Sequence, residues 1–595
     1  MLKKFLLNAL SSFVGTWVAI VLFAVAAFFT VVAIGVKIGD GLLSGSSGVA
    51  RHSILTLELS GVIEETETPV VLDYATILRG KEEAQTLTTL TEALREGAVN
   101  KNIDALYLKC GGVAASPATL NALRDEIVAF RKSGKKVFAY GDGYGMGDYY
   151  LASAADSIFM NPYGAVELRG LGSTVLYMKG LFDKIGISFQ VVKVGTFKSA
   201  VEPYIMDKMS EPARAQLDTL FGNMWGYIRK KISKDRRRLT PAIIDSLINV
   251  TSITYAAPEE VVKAGLVDKL VYERNMDQKL ASLIKKKKDD LHFVSPQTLA
   301  AEADVWDEGG KNEIAVVYAV GEIADGAKDG INYEQYVPLI TKLADDDKIK
   351  GMVLRVNSPG GSAFGSDQIG EALDYFRSKG KPLAVSMGDY AASGGYWISS
   401  CADVIFADPL TVTGSIGIFG LIPNGEILLD KLGVNPQSAG TNLQANFPTL
   451  FKAMDERQLA VVQKNVERGY DRFINRVSRG RGMKDADVRR IAEGRVWDAM
   501  QAQKIGLVDS IGSLKQTIEW TANKAGVHST YTINKYPTHT LSFWEVMASE
   551  GIGQFKAEFY GENFTAYTVK YLERILQRPT IQARMPEFKI NFQGN

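Results

Sequence analysis

The sequence predicts two consecutive α/β domains preceded by a single membrane-crossing helix. Three observations carry this. The chain repeats itself in ordered segments, short apolar runs alternate with amphipathic helical patterns inside each repeat, and residues 13–36 form an apolar run without a charge. The repeat is plainest where GYGMGDYYLASAADSIFMNP, beginning at Gly143, answers DYAASGGYWISSCADVIFADP, beginning at Asp389. The Phe130–Lys135 segment answers Phe376–Lys381, and Lys263–Asp268 answers Lys504–Asp509, in the same order. Repeats of this length are duplicated domains, because solenoid units recur every ~20–50 residues.

In chain order, residues 1–12 carry Lys3 and Lys4 and read as a cytoplasmic N-terminus. Residues 13–36 follow as an uncleaved signal anchor. As a helix the run is about 36 Å long, enough for a hydrocarbon core of about 30 Å. The lysines before it and the scarcity of positive charge after it orient the later residues away from the cytoplasm. Residues 37–50, rich in Gly and Ser, read as a tether. The first copy spans 51–285, a polar linker 286–312, the second copy 313–537 and a tail 538–595.

Within each copy, runs such as EIAVVYAVGEI and KGMVLRVN read as buried strands, and SDQIGEALDYFRSKG as the helix crossing between KGMVLRVN and PLAVSMGD. Repeated strand–helix–strand units imply a parallel sheet with right-handed crossovers.

A hydrophobic content of 46%, a charged content of 23% and a net charge of +1 are ordinary globular values and point away from nucleic acid as a partner. Cys110 and Cys401 lack the spacing of a metal site and read as free buried thiols, so neither metal nor cofactor is expected.

Chemistry concentrates in the second copy. Ser393 falls between the strand-like LAVSM and the helix-like YWISSCAD, where a helix N-terminus favours a developing anion. Taken alone, ASGG is also an ordinary helix cap. The Pro359-Gly360-Gly361-Ser362 turn follows another buried strand. One of its glycines, Gly360 or Gly361, together with the N–H of Gly394, is a candidate oxyanion hole. A nucleophilic serine needs a base, yet His52, His292, His528 and His539 all lie at domain edges, in the linker or in the tail. A buried lysine without an anionic partner can serve instead. Lys198 stands out for its apolar neighbours and because the weak echo of its segment in the second copy, PQSAGTNLQA, carries Leu443 in its place. Where Ser393 stands, the first copy has Met146. Pattern alone does not choose among the lysines.

The motifs VGTFKSAVEPY (194–204), RVNSPGGS (355–362), AASGGYWIS (391–399) and TGSIGIFG (413–420) closely resemble those of the signal peptide peptidase A (protease IV) family, peptidase family S49, in its long duplicated bacterial form. The resemblance covers nearly the whole chain. It implies a crotonase-like fold shared with Clp protease in each copy. It also implies a serine endopeptidase with Ser393 as nucleophile, Lys198 as general base and Ser415 supporting the lysine amine; the first copy has Gly170 at the position of Ser415. Expected substrates are signal peptides and similar hydrophobic peptides. The expected setting is the periplasmic side of a bacterial cytoplasmic membrane, in a ring-like homo-oligomer such as a tetramer. Asp389, four residues before the nucleophile, must then point away from the lysine. The competing readings are a catalytically inactive membrane scaffold or peptide-binding module on the same fold, and a crotonase-type acyl-thioester enzyme.

Overall fold

The computed structural model of the chain describes residues 49–66, 85–302, 311–326, 330–442, 444–527, 531–537, 581–586 and 588. The expected anchor at 13–36, Leu443 and most of the tail lie outside the described residues. Among those described, no helix is long and apolar enough to cross a membrane.

Each copy builds a parallel sheet from the apolar runs. In the first, the strands run in the order Gln85–Thr86, Ser53–Glu64, Ile103–Ala114, Lys136–Gly141, Ser157–Met160 and Lys269–Leu270, all parallel. In the second, Asn312–Val320, Ile349–Ser358, Leu383–Ala392, Val404–Ala407 and Ser510–Ile511 follow one another in the same way. Helices cover these sheets, so the central strands are buried on both faces rather than alternating between core and solvent. Met352 to Val356, for instance, is buried at every position.

Matched hydrogen bonds record the duplication. The Tyr149 hydroxyl donates to the Leu266 carbonyl at 3.1 Å, and the Tyr396 hydroxyl to the Leu507 carbonyl at 2.9 Å. Asp268 accepts from the Ile158 N–H at 2.8 Å, and Asp509 from the Ile405 N–H at 2.8 Å. Both cysteines are free and buried. Part of the 286–312 stretch belongs to the body of the first copy. The strand His292–Val294 pairs with Ser53–Leu55, and Leu299 on the helix Pro296–Glu302 is buried in the first core.

A third sheet draws on both copies and on the tail. Its order is Ile331–Asn332, Ile323–Ala324, Gly360–Ser362, Ile581–Arg584, Phe419–Asn424 and Ser188–Lys193. The last strand comes from the first copy and runs antiparallel to Phe419–Asn424 of the second, with Lys193 opposite Phe419. That pairing carries the chain leading to Lys198 out of its own domain and across the second copy. Buried polar contacts hold the copies together. Arg355 Nε lies 2.6 Å from Glu65 Oε1, the Thr119 N–H and hydroxyl donate to Asp389 at 2.9 and 2.8 Å, and Asn121 donates to Asp408 at 2.7 Å.

Candidate active site

The strand Leu383–Ala392 delivers Ser393 to the start of the helix Gly394–Ser399. The turn is sharp: Ser393 has φ 56° and ψ −115°, a conformation that costs a non-glycine residue ~1–3 kcal/mol. Two backbone bonds hold it there. The Ser393 N–H donates to the Gly414 carbonyl at 2.7 Å, and the Ser393 carbonyl accepts from the Trp397 N–H at 2.8 Å. Backbone strain of this kind concentrates where the side chain must be aimed. In the first copy the corresponding turn is relaxed, and Met146 is buried in the core.

Lys198 enters from the loop after Ser188–Lys193. The Val194 N–H donates to the Ile418 carbonyl at 3.1 Å, and the Phe197 N–H to the Glu493 carbonyl at 2.9 Å, so the second copy grips the loop on both sides. The lysine is fully buried. Its Nζ lies 2.8 Å from Ser393 Oγ, 3.0 Å from Ser415 Oγ and 3.0 Å from the Ser415 carbonyl oxygen. These three partners match the three positions of the amine, and none of them is an anion. Burial alone pushes the amine well below its ordinary pKa of 10.5, because the charged form has lost water and gained no counter-charge.

Ser415 itself has φ 51°. The Arg495 carbonyl accepts its N–H at 2.7 Å, which fixes the turn that points both its oxygens at Lys198. Gly170, the first-copy counterpart, keeps the left-handed backbone (φ 87°) and lacks the hydroxyl. Asp389 is occupied elsewhere: besides Thr119 it accepts from Asn357 Nδ2 at 3.2 Å. Burial and the nearby Glu65 carboxylate raise its pKa.

The glycines meet at Ser393 in a specific way. A Cβ on Gly360 would fall 2.7 Å from the Gly394 nitrogen, so the turn and the helix start touch through bare backbone. Gly360 (φ 97°) and Gly361 (φ 153°) hold left-handed conformations that other residues rarely adopt. The Gly360 N–H donates to Ser358 Oγ at 3.2 Å, and Gly361 is paired with Ile323 on one side and Ala583 on the other. Among the described residues no cluster of His, Cys, Asp and Glu could hold a metal ion.

Two contributors were not visible in the sequence. Gly494 lies against the backbone of Lys198, and the tail strand Ile581–Arg584 passes beside Gly360 and Gly394. A glycine just before the strand Val496–Asp498 was the available signal for the first. For the second, a four-residue strand in an unmatched tail offered none.

The pair formed by Ser393 and Lys198 sits in a chain with clear relatives. The profile of peptidase family S49 matches residues 129–287 and 375–528, one segment in each copy. A "Protease 4" of Haemophilus influenzae is 35% identical over 80% of this chain and 81% of its own length. A "Protease 4" of Salmonella typhi is 35% identical over 84% and 82%. The "Serine protease SPPA, chloroplastic" of Arabidopsis thaliana is 26% identical over 80% and 70%. Among solved structures, a point mutant of ClpP1 from Listeria monocytogenes covers 34% of this chain and 94% of its own at 15% identity, with a TM-score of 0.24 that carries no weight in the assignment.

Proposed function

The chain belongs to peptidase family S49 and is of serine-protease type, and from this premise we propose that it is an endopeptidase working through Ser393 and Lys198. The observation that carries the proposal is the 2.8 Å separation of Lys198 Nζ and Ser393 Oγ around an amine with no anionic partner. An uncharged amine at that distance takes the hydroxyl proton as Oγ attacks the peptide carbonyl carbon. The resulting ammonium returns the proton to the leaving amine as the C–N bond breaks, leaving an acyl ester on Ser393. Water then adds to the ester, with Lys198 again accepting a proton and passing it to Ser393 Oγ as the acid product leaves. The Gly394 N–H at the helix start, with a glycine of the Gly360-Gly361 turn, stabilises the tetrahedral oxyanion; each such donor contributes ~3–4 kcal/mol. Ser415 holds the amine in line.

We further propose signal peptides and similar hydrophobic peptides as substrates. The charge-free run at 13–36 would tether the enzyme to a bacterial cytoplasmic membrane with both copies on the periplasmic side, in a homo-oligomer. Each copy reads as crotonase- and Clp-protease-like. A non-catalytic scaffold has no use for a buried lysine held between two serines on strained turns, which disfavours that alternative.

The test is hydrolysis of a leucine-rich peptide ester by wild type, Ser393→Ala and Lys198→Ala, together with labelling by a fluorophosphonate. Turnover and labelling at Ser393 in wild type alone support the mechanism. Equal turnover in all three proteins, or an unlabelled wild type, rejects it.

A further inference from the structure

We infer that Asn357 is a positioning residue of the peptidase site: its side-chain amide fills a bulge just before Ser393, and the first copy clamps that bulge through Glu65 and Thr119. The inference rests on the peptidase reading of Ser393 and gives the first copy a second contribution to the reaction, besides Lys198.

The strands Ile349–Ser358 and Leu383–Ala392 lie side by side, and the Gly360-Gly361 turn and Ser393 follow directly from their ends. Their parallel register breaks just before both ends. Val356 stands opposite Met387, but the next pair is Ser358 with Ala391, so Asn357 alone faces Gly388, Asp389 and Tyr390. Bulges are rare between parallel strands, and they re-aim the residues that follow. They also leave backbone groups that the ladder no longer satisfies. Side chains take these up. The Tyr390 N–H donates to Asn357 Oδ1 at 3.1 Å, Arg355 Nη1 to the Met387 carbonyl at 2.9 Å, and the Thr411 hydroxyl to the Gly388 carbonyl at 2.7 Å. A Cβ on Gly388 would lie 3.0 Å from Asn357 Cγ, so the amide rests on bare backbone. On its other side, the Asn357 carbonyl accepts from the Gly321 N–H at 3.0 Å, at the end of the strand Asn312–Val320.

The first copy holds this bulge from behind. Asn357 Nδ2 lies 3.2 Å from Asp389 Oδ2 and 3.4 Å from Glu65 Oε2. Both carboxylates are buried. Glu65 also takes the bond from Arg355 Nε, whose guanidinium in turn donates to the Ser386 hydroxyl at 3.0 Å. Asp389 takes the N–H and hydroxyl of Thr119. Thr119 lies in the first turn of the first-copy helix Pro117–Lys132, whose N-cap Ser116 makes no side-chain capping bond, so Asp389 caps that helix across the join. Buried carboxylates are stable only with their bonds complete, so losing one donor disturbs the whole set. Gly360 comes three residues after Asn357, and Ser393 four after Asp389. A shift in the bulge therefore changes the gap between the nucleophile and the donors of the turn, and a displacement of about 1 Å can cost ~100-fold in rate.

The test uses the full chain and the peptide ester. In Asn357→Ala, kcat is expected to fall ~100-fold with KM within ~3-fold of wild type, and the rate of fluorophosphonate labelling to fall in parallel. Thr119→Val removes only the hydroxyl, from a residue of the other copy, and should lower kcat ~10-fold; Thr119→Ser restores the donor and should return kcat to within ~2-fold of wild type. Should Asn357→Ala not fold, the two Thr119 variants decide the matter. A purely structural role would lower the melting temperature and leave kcat per folded molecule unchanged, and that result in Asn357→Ala or in Thr119→Val overturns the inference. So does a loss in Thr119→Val that Thr119→Ser does not restore. These results presuppose an active wild type. If wild type neither hydrolyses the ester nor reacts with the fluorophosphonate, the peptidase reading itself fails and this inference falls with it.

Discussion

Gly494 lies under Lys198 so closely that a methyl at position 494 would sit 2.7 Å from the lysine Cβ and 2.8 Å from its Cα and its nitrogen. Its backbone is left-handed, with φ 74°, and its N–H donates to the Ile416 carbonyl at 2.8 Å. The second copy thus presses bare backbone against the lysine loop of the first, and the amine reaches Ser393 because nothing thicker fits below it.

Gly494→Ala is therefore expected to displace Lys198. Gly482→Ala is the control, since Gly482 is also left-handed (φ 62°) but has open space where a Cβ would go. The control should lose ~1 kcal/mol of stability through backbone conformation alone, with activity kept. Gly494→Ala should lose more, ~2–4 kcal/mol, and kcat should fall ~100-fold or more as the proposed base is displaced. Chemical denaturation with ester kinetics on both variants decides this; equal kcat values would show that the contact does not position the lysine.

A buried amine held uncharged is a liability to the fold. Lys198→Met replaces it with an apolar chain of similar length and is expected to abolish hydrolysis while raising the melting temperature by a few degrees. The opposing loss is of the hydrogen bonds to Ser393 and Ser415. Each is worth ~1 kcal/mol net, less than the cost of stripping water from the amine. A lower melting temperature would mean that the three contacts outweigh burial.

Ser393 was legible as a candidate because a strand, a small-residue turn and a helix start are consecutive in sequence, but the same pattern also reads as a helix cap, and the bond to the Gly414 carbonyl that holds its strained φ comes from a distant segment. Lys198 was legible only as an amine among apolar residues, and its meeting with Ser393 depends on the strand Ser188–Lys193 joining the sheet of the other copy. No periodicity within either segment encodes that pairing, so motif resemblance chose this lysine. Gly494 and Ile581–Arg584 were illegible for the same reason in stronger form. Their partners are distant in the chain, and nothing in Glu493-Gly494-Arg495 or Ile581-Gln582-Ala583-Arg584 signals what each will touch.

The lysine also fixes the sign of the pH dependence. In its proposed role as base, Lys198 accepts a proton only when uncharged, so kcat/KM for the ester should climb with pH and level off once the amine is deprotonated. Burial lowers that point well below 10.5, so the plateau should begin well before an ordinary lysine would titrate. The Ser415 hydroxyl accepts a hydrogen bond from the ammonium form and so supports the charge. Ser415→Ala is expected to move the limb to lower pH and to lower the plateau ~10-fold, because the amine is held less firmly. A limb that moves up, or a plateau that is unchanged, would remove Ser415 from this role.

The contact between Asn121 of the first copy and Asp408 of the second gives a stability prediction with its own pH signature. Asp408 accepts from Asn121 Nδ2 at 2.7 Å and from the Leu410 N–H at 2.8 Å, and burial pushes its pKa up to about 7. The folded state therefore keeps a proton that the unfolded chain releases near its ordinary 3.8, so this group makes stability decline as pH rises from about 4 to about 7. Asn121→Ala removes a hydrogen bond that favours the charged carboxylate, which pushes the pKa higher and steepens that decline. It also removes the bond that the Tyr150 hydroxyl donates to Asn121 Oδ1 at 2.7 Å, a loss that does not vary over this range. The variant should thus be less stable by ~1–3 kcal/mol, with the smaller deficit at about pH 5 and the larger at about pH 8. Denaturant unfolding at the two pH values measures it; equal deficits would mean that Asp408 is not held up by burial at the join between the copies.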